Sequence, residues 1–468
     1  MKHLFLIRHA KARRDGTPDP QRPLRRRGQR QLAAMATPLQ RLGAFAGDLH
    51  VSTATRAKQT LQGLDAALPE CRLAGCAHHH EALYTFDESM LRRWLKATDT
   101  DRDTLAIIGH NPALLDLARR LVEPPPERLP TAGMLHITLP SDTWRKLGKG
   151  RGTLAESLTP EQASHALFKR RAPEAPKLSG TNLARRIGKQ LRYQYRMIRA
   201  LEPGVRAGWD PEFLHQYRVN LRRSRAITES LLAIASAPKV KKTLKAVKRR
   251  ARATSRLRDL DVFLETLAKI TTEHDNDAIP TVMAWLRQQA EAEHATLCRQ
   301  LDSSDYTREM RDWRRCLETR AFYRLLAAAD QERIRAVLEQ RIARHDEQWR
   351  DLDAASPDEA LHELRKTVKR IRYQAELAPD RDHDLLQRLK TRQELLGDFQ
   401  DLTTQRRLLG EFSASETARH LSAKENQDFE DWCSRLSERH QRLRQEIQQR
   451  GPLGDVLGAV PGNLSAPD

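Results

Sequence analysis

Cysteine is scarce in this sequence of 468 residues, and none of the five cysteines lies in a CxxC pair. An odd number of scattered thiols gives no disulfide framework and is typical of a reducing compartment. The segment CRLAGCAHHH (71–80) holds thiols and imidazoles, which are zinc ligands by chemistry. No second ligand pair at a suitable spacing follows it, so we predict that the protein has no metal site.

Long hydrophobic runs and aromatic residues are also scarce. The first apolar run, LFLI, is four residues long and ends at Arg8, and no stretch approaches the roughly 18 apolar residues of a membrane span. We therefore expect neither a signal peptide nor a membrane span, and we predict a cytoplasmic location. Aromatic residues are only 5% of the chain, whereas grooves for single-stranded nucleic acid stack bases on aromatic rings. This composition disfavours nucleic acid as a partner.

Positive charge is abundant but unevenly distributed. The whole chain carries 82 basic and 62 acidic side chains, a net charge of +20. Residues 181–258 hold 21 basic and 4 acidic side chains (+17), whereas residues 259–468 hold 32 basic and 40 acidic (−8). A positive field concentrated in one segment indicates a polyanionic partner rather than a general contribution to solubility.

The length exceeds that of one typical core, and the pattern of the sequence changes along the chain. Residues 1–150 alternate short β-like runs with helical patterns, which predicts an α/β domain with a mostly parallel sheet. Residues 151–180 are rich in Gly, Pro and Ala and are predicted to be a linker with at most one short helix. Residues 181–450 have helical periodicity and predict an all-α domain of two pseudo-symmetric helical bundles, and residues 451–468 are predicted to be a flexible tail.

Two histidines and two arginines follow predicted elements of the α/β domain. LIRHAKA places Arg8 and His9 after the first strand, VSTATRAKQT contains Arg56, and IIGHNP contains His110. Because the carboxyl ends of parallel strands meet at one edge, these side chains can form a pocket for a tetrahedral oxyanion. One imidazole can attack phosphorus while guanidinium groups neutralise the oxygens. Each histidine taken alone is equally consistent with a structural hydrogen bond.

In order along the chain, LIRHAKA, DPQRPLRRRG, STATRAKQT and GHNP resemble the histidine phosphatase superfamily, specifically its small phosphohistidine phosphatase branch. The resemblance covers residues 1–145. It implies that His9 is the nucleophile, that a phosphohistidine intermediate forms, and that no metal or organic cofactor takes part. It also implies that the phosphate is bound by Arg8, Arg56 and His110.

The general acid of that chemistry is less clearly marked in the sequence. Members of the superfamily often take it from a carboxylate after the second helix, and Glu81 in HHHEALYT is the candidate. Arg22 adds a positive contact or forms a salt bridge with a neighbouring acid. The compact form of the fold leaves an open site, which suits a phosphorylated protein side chain or the end of a long polyphosphate.

A charged helical pattern occurs twice in the C-terminal part, as LHQYRVNLRRSR (214–225) and LHELRKTVKRIR (361–372). Offsets of 3, 7 and 10 residues fall on one face of an α-helix. We call these two faces the paired ladder, and their members are His215, Arg218, Arg222 and Arg225, and His362, Arg365, Lys369 and Arg372. Like charges stacked without partners indicate an anionic ligand, although a solvated charged face is the alternative.

Further basic residues accompany the ladder. Arg223 and Arg370 lie beside it, and two more helical stripes consist of Lys241, Lys245, Lys248, Arg252 and Arg256, and of Arg185, Lys189, Arg192, Arg196 and Arg199. Together with SRLRDLDV (255–262) and LLGDFQDL (395–402), the ladder resembles the conserved-histidine α-helical domain, CHAD, over residues 181–450. That resemblance implies internal two-fold pseudo-symmetry and a basic channel that binds inorganic polyphosphate. The counterpart of the first stripe is thin in the second copy, so we expect ligand contacts to depend more on the first copy.

The combined interpretation is a histidine-type phosphatase acting on phosphohistidine or another phosphoprotein, with a helical domain that binds inorganic polyphosphate. Two alternatives use the same residues. One is a polyphosphate-binding or granule-targeting protein with incidental or no phosphatase activity, and the other is a phosphatase that acts on polyphosphate itself. The predicted location is the cytoplasm, in association with polyphosphate granules, and no membrane partner is expected.

Overall fold

The computed structural model describes residues 1–14, 16–270, 276–353, 355–377 and 383–454. Its contacts divide the chain into two units. The N-terminal unit comprises Met1–Ala172 and Pro203–Phe213, and the helical unit comprises Pro173–Glu202 and Leu214–Asp468. Most of the predicted tail, residues 455–468, lies outside the described residues.

The N-terminal unit is an α/β structure built on one mixed sheet, which confirms the predicted fold class. Its strands are Lys2–Arg8 (β1), Asp48–Ser52 (β2), Ala77–His80 (β3), Thr104–Gly109 (β4), Met134–Leu139 (β5) and Thr153–Leu158 (β6). The spatial order is β3-β2-β4-β1-β5-β6. The first four strands in this order pair in parallel, whereas β5 runs antiparallel to β1 and β6 runs antiparallel to β5.

Seven helices accompany the sheet: Arg26–Arg41 (α1), Thr55–Ala67 (α2), Leu73–Cys76 (α3), Glu88–Ala97 (α4), Ala113–Leu121 (α5), Pro160–Ala163 (α6) and His165–Phe168 (α7). Side chains of β1 alternate between the two faces, as the period of two in a strand requires. Phe5 and Ile7 pack with residues of α1 and α2, whereas Leu4 and Leu6 pack with residues of α4 and α5. Burial on both faces fixes β1 in the centre, and so places its carboxyl end in the middle of one sheet edge.

The prediction of a linker over residues 151–180 is wrong for its first part. Residues 153–158 form β6, the sixth strand of the sheet, and α6 and α7 follow it. The sequence TLAESL hides this strand because it lies at the sheet edge, where only Leu158 is buried. An edge strand with little burial does not need the alternation of apolar residues that marks an inner strand.

The helical unit is all-α, as expected. The helices that form it are Leu183–Ala207 (α8), Glu212–Ile234 (α9), Pro238–Ala253 (α10), Ser255–Ile270 (α11), Ala278–Asp302 (α12), Ser304–Cys316 (α13), Arg320–Ala327 (α14), Gln331–Arg350 (α15), Asp358–Ala375 (α16), His383–Ser413 (α17) and Ala423–Gln448 (α18). The end of α8 and the first two residues of α9 fall within Pro203–Phe213, which belongs to the N-terminal unit. The two copies of the paired ladder lie on α9 and α16. Within the described ranges, no helix is long and apolar enough to cross a membrane.

Candidate active site and basic channel

The candidate active site lies at the carboxyl ends of β1, β2 and β4. Arg8 is the last residue of β1 and His9 follows it, Arg56 lies in the first turn of α2, and His110 comes directly after β4. The rings of His9 and His110 are 5.1 Å apart between centroids, and Arg56 Nε donates to His9 Nε2 at 3.2 Å. The structure therefore brings three of the four predicted side chains into direct contact at one sheet edge.

The hydrogen bonds of His9 define its tautomer. His9 Nδ1 lies 2.8 Å from the carbonyl oxygen of Ala10, which can only accept, so Nδ1 carries the proton. His9 Nε2 then holds the lone pair, and it accepts the hydrogen bond from Arg56. Burial, together with the positive charges of Arg56 and Arg8, lowers the pKa of His9 to about 3. The ring is therefore neutral at physiological pH, with Nε2 in the form that can attack an electrophile.

His110 is oriented by Ser52 on the neighbouring strand. Ser52 Oγ lies 2.8 Å from His110 Nε2, and the backbone N–H of Ala54 donates to the same Oγ. When the Ser52 hydroxyl donates to Nε2 while it accepts from Ala54, the ring proton of His110 is on Nδ1. This Nδ1 is buried and has no hydrogen-bond partner among the described residues. A buried donor without a partner at this position is a ready contact for a phosphoryl oxygen.

A carboxylate missed by the sequence interpretation lies in this cluster. Asp19 Oδ2 accepts from Arg56 Nη2 at 2.8 Å and from the hydroxyl of Tyr84 at 2.7 Å. Arg22 pairs with the other oxygen of the same carboxylate, so the salt-bridge alternative for Arg22 is the one observed. The signal in the sequence was the spacing within DPQRPL, where Asp19 comes one helical turn before Arg22.

Arg8 and Glu81, the other two predicted catalytic residues, make none of the contacts described above for His9, Arg56 and His110. Arg8 Nη1 donates to the carbonyl oxygen of Leu129 at 3.0 Å, and burial lowers the pKa of Arg8. Its charge acts on both histidines, because it helps to lower the pKa of His9 and of His110. Glu81 is exposed, and its carboxylate makes no hydrogen bond or ion pair to the four predicted side chains in the part of the chain that the structure describes.

The candidate channel of the helical unit is a cavity of about 310 Å³ between the two ladder helices. Eight of the predicted ligand-binding residues line it: Arg218, Arg222, Arg225, Arg252, His362, Arg365, Lys369 and Arg370. Lys366 lines it as well. Both copies of the ladder contribute to the lining. The expectation that ligand contacts depend more on the first copy stays a prediction.

Two half-buried arginines of the cavity occupy equivalent positions in the two copies. Arg218 Nη1 donates to Thr254 Oγ1 at 2.7 Å, and burial lowers the pKa of Arg218 to about 10, although the charge of Asp259 opposes the shift. Arg365 faces Asp401 in the same way, and its pKa is lowered by burial and raised by that carboxylate. In both copies a nearby carboxylate partly offsets the effect of burial on the pKa of the arginine.

Lys369 is the most perturbed cation of the cavity. Burial and the charges of Arg365, Arg222 and Arg225 together lower the pKa of Lys369 to about 7, while Asp401 opposes them. Three guanidinium groups around one ammonium group make a site with excess positive charge. An anion that entered the cavity would relieve this repulsion.

The remaining predicted residues do not line the cavity: His215, Arg223, Lys241, Lys245, Lys248, Arg256 and Arg372. Two of these residues, Arg256 and Arg372, form ion pairs with carboxylates. Arg256 pairs with Glu411 at 2.8 Å and with Glu293 at 3.1 Å, and Arg372 pairs with Glu376 at 2.9 Å. These partners lie on other turns or other helices, where the charge of the stripe alone does not reveal them.

The histidines and cysteines near 71–80 were the only sequence candidates for a metal. His50 Nδ1 lies 3.0 Å from His80 Nε2, and the two rings form a hydrogen-bonded pair on neighbouring strands. Across the described ranges, no group of three or more His, Cys, Asp or Glu side chains is placed to hold a metal ion.

Comparison with known proteins gives two separate resemblances. Residues 189–410 match the family model of the CHAD domain. A solved CHAD domain from the plant Ricinus communis is 22% identical and aligns with 60% of this chain and 96% of its own, with a TM-score of 0.46. The protein histidine phosphatase SixA in complex with tungstate is 25% identical over 34% of this chain and 97% of its own, with a TM-score of 0.29.

A SixA protein from Agrobacterium tumefaciens is 22% identical over 34% of this chain and 98% of its own, with a TM-score of 0.28. No curated protein matches the chain. Both resemblances expected from the sequence are thus found. Residues 189–410 are a CHAD domain, and an α/β region that resembles SixA precedes it.

Proposed function

We propose that the N-terminal unit is a phosphatase that works through a phosphohistidine intermediate at His9. The observation that carries the proposal is the tautomer of His9. Its Nδ1–H donates to the backbone oxygen of Ala10, and Nε2 holds a lone pair beside Arg56. The low pKa of His9, about 3 because of burial, keeps the nucleophile neutral at physiological pH. Nucleophile, cations and hydrogen-bond donors thus occupy one pocket, as phosphoryl transfer requires.

In the first step, His9 Nε2 attacks phosphorus, a P–N bond forms, and the bond from phosphorus to the leaving group breaks. Arg8 and Arg56 neutralise the charge on the phosphoryl oxygens, and His110 donates from Nδ1 to one of them. The leaving group takes a proton as it departs. In the second step, water attacks the phosphohistidine, phosphate leaves, and the lone pair returns to His9 Nε2.

Asp19 is the carboxyl group that we propose as proton donor, in place of Glu81. It contacts Arg56, which in turn contacts His9, whereas Glu81 is exposed. The Asp19 carboxylate now occupies hydrogen-bond donors that a phosphoryl group would use. A dianionic phosphate that binds Arg56 therefore either displaces the Asp19 carboxylate or binds beside Asp19 in its protonated form. We propose that protonated Asp19 donates the proton to the leaving group.

A protein side chain is the substrate that the surroundings favour. Phe86 is 46% exposed, and its ring lies 5.6 Å from that of His110. Met90 in the next helix is 47% exposed. Exposed apolar side chains beside a phosphate pocket can pack against a macromolecular substrate. We therefore propose phosphohistidine or another phosphorylated protein side chain as the substrate, with polyphosphate as the alternative.

The test is phosphate release from a phosphohistidine protein, from long-chain polyphosphate and from an aryl phosphate, measured side by side. We expect the phosphoprotein to be hydrolysed fastest, His9→Ala to be inactive, and radiolabelled substrate to give an acid-labile, base-stable phosphoenzyme at His9. Asp19→Asn should lower kcat by about 10²-fold or more on a poor leaving group, whereas the matched change Glu81→Gln should leave it unchanged. Retained turnover in His9→Ala rejects the proposal.

For the CHAD domain we propose binding of inorganic polyphosphate in the cavity between α9 and α16. The support is its lining, which is dominated by cations and contains one aromatic ring, Tyr373. A chain of phosphates without bases calls for such rows of Lys and Arg. If the phosphatase half proves inactive, binding alone would fit the granule-targeting alternative.

Binding should weaken linearly with the logarithm of salt concentration, because neutralised phosphates release counterions. Removing two cavity cations, as in Arg222→Gln with Arg225→Gln, should weaken binding and flatten that slope. Lys241→Gln with Lys245→Gln is the matched control, because these exposed lysines of α10 do not line the cavity. Equal losses in both double variants, or equal affinity for heparin and duplex DNA, would refute specific binding in the cavity.

A further inference from the structure

The basic stripe on α8, which consists of Arg185, Lys189, Arg192, Arg196 and Arg199, contributes Lys189, Arg192 and Arg196 to a separate groove. This groove has a volume of about 690 Å³ and lies between α8, the start of the helical unit and the end of α13. We call it the α8 groove. Its cationic members are Lys177, Lys189, Arg192, Arg196 and Arg314, and its other members are Pro176, Tyr195, Leu317 and Glu318.

The cations of the α8 groove greatly outnumber its acids. Glu318 is the one carboxylate in the lining, and it lies 3.7 Å from Arg314. Five positive charges minus one negative charge leave a net charge of +4. Among the described residues, Lys189 Nζ donates to the backbone oxygen of Lys177, which neutralises no charge. The groove therefore has an excess of positive charge that an anion would balance.

Arg192 gives an independent sign of a missing acceptor. Its Nη1 is buried, yet no acceptor contacts this atom in the described part of the chain. Burying a charged N–H group without an acceptor costs more free energy than burying a neutral one, and a bound anion would accept a hydrogen bond from this N–H group. Two members of the same stripe, Arg185 and Arg199, do not line the groove. Arg199 forms an ion pair with Glu202 instead.

Two helices separate the α8 groove from the basic channel. The opposite side of α8, at Arg186 and Gln190, lines another cavity of about 470 Å³, which reaches Arg223 on α9. The channel lies on the other side of α9, at Arg222 and Arg225. Packed helices are about 8–10 Å apart between axes, so the groove is not a continuation of the channel.

We propose that the α8 groove is a second anion site, and that it takes a compact ligand with a short phosphate chain and an apolar or aromatic group. A triphosphate carries about four negative charges, which matches the net charge of the lining. Tyr195, Leu317 and Pro176 supply apolar surface that bare phosphate would leave unused. A nucleoside triphosphate carries both groups, whereas the end of an inorganic polyphosphate carries the phosphate chain alone. The proposal does not depend on binding in the channel.

The experiment uses the full-length protein and a fluorescent N-methylanthraniloyl ATP without added magnesium, with binding followed by anisotropy. We expect saturable binding with one site per chain, and a loss of about tenfold or more in affinity in Arg192→Gln and in Arg196→Gln. Arg185→Gln removes the same charge from the same helix outside the groove and should leave the affinity within about twofold.

Competition then identifies the source of the phosphate chain. Weaker displacement by tripolyphosphate than by ATP supports the proposed contact of an apolar group with the groove, and equal displacement refutes that contact. No saturable binding in the wild-type protein overturns the proposal. It is equally overturned if Arg185→Gln weakens binding as much as Arg192→Gln and Arg196→Gln do.

Discussion

Lys369 should make polyphosphate binding depend on pH near neutrality. Its pKa is lowered to about 7 by burial and by the charges of Arg365, Arg222 and Arg225, with Asp401 opposing. The empty cavity therefore holds Lys369 in both protonation states at pH 7. A bound phosphate chain favours the ammonium form, so binding takes up a proton. The arginines of the cavity remain charged throughout this range.

The magnitude follows from the fraction of Lys369 that is protonated before binding. With a pKa of about 7, this fraction is roughly 0.9 at pH 6 and roughly 0.1 at pH 8, so the apparent affinity should fall about tenfold between these values. A further tenfold loss should follow by about pH 9. Lys369→Arg keeps the positive charge but no longer titrates, so its affinity should be nearly constant from pH 6 to pH 9.

The assay is isothermal titration calorimetry with long-chain polyphosphate in Tris and in HEPES at each pH. These buffers differ in their heats of ionisation, so the difference between them counts the protons taken up, which should be close to one at pH 8. The terminal phosphates of the ligand are the same in experiments with wild type and with Lys369→Arg, and their titration therefore cancels in the comparison. The same pH dependence in both proteins would refute the reasoning.

Three further predictions concern two residues of the N-terminal unit and one residue of the basic stripes. Phe86→Ala should raise KM several-fold for a phosphoprotein and leave it unchanged for an aryl phosphate, which steady-state kinetics can measure. The pKa of His50 is lowered from 6.5 to about 4 by burial and by His80, so unfolding should become easier by up to about 3 kcal/mol as pH falls from 6.5 to 4, and His50→Phe should reduce this loss in acid titrations followed by circular dichroism. Arg256→Gln should affect polyphosphate affinity by less than about twofold, because Glu411 and Glu293 already neutralise it.

The active-site edge was predictable from local sequence. Apolar runs of β length before Arg8 and before His110 place these residues after parallel strands, and parallel strands end at a common edge. The ladder was predictable for a similar reason, because helical periodicity alone puts Arg218, Arg222 and Arg225 on one face. In both cases the information lies within about ten residues, the range over which backbone geometry fixes the direction of side chains.

Only the tertiary structure decided which polar groups meet across the chain. Asp19 reaches Arg56 and Tyr84 through loops that carry no periodic signal, and β6 joins the sheet as an exposed edge strand. Arg256 meets Glu411, which is 155 residues away. Such pairings depend on how elements pack rather than on the conformation of each element. Burial and neighbouring charge, which set the protonation of His9 and Lys369, arise only when those elements come together.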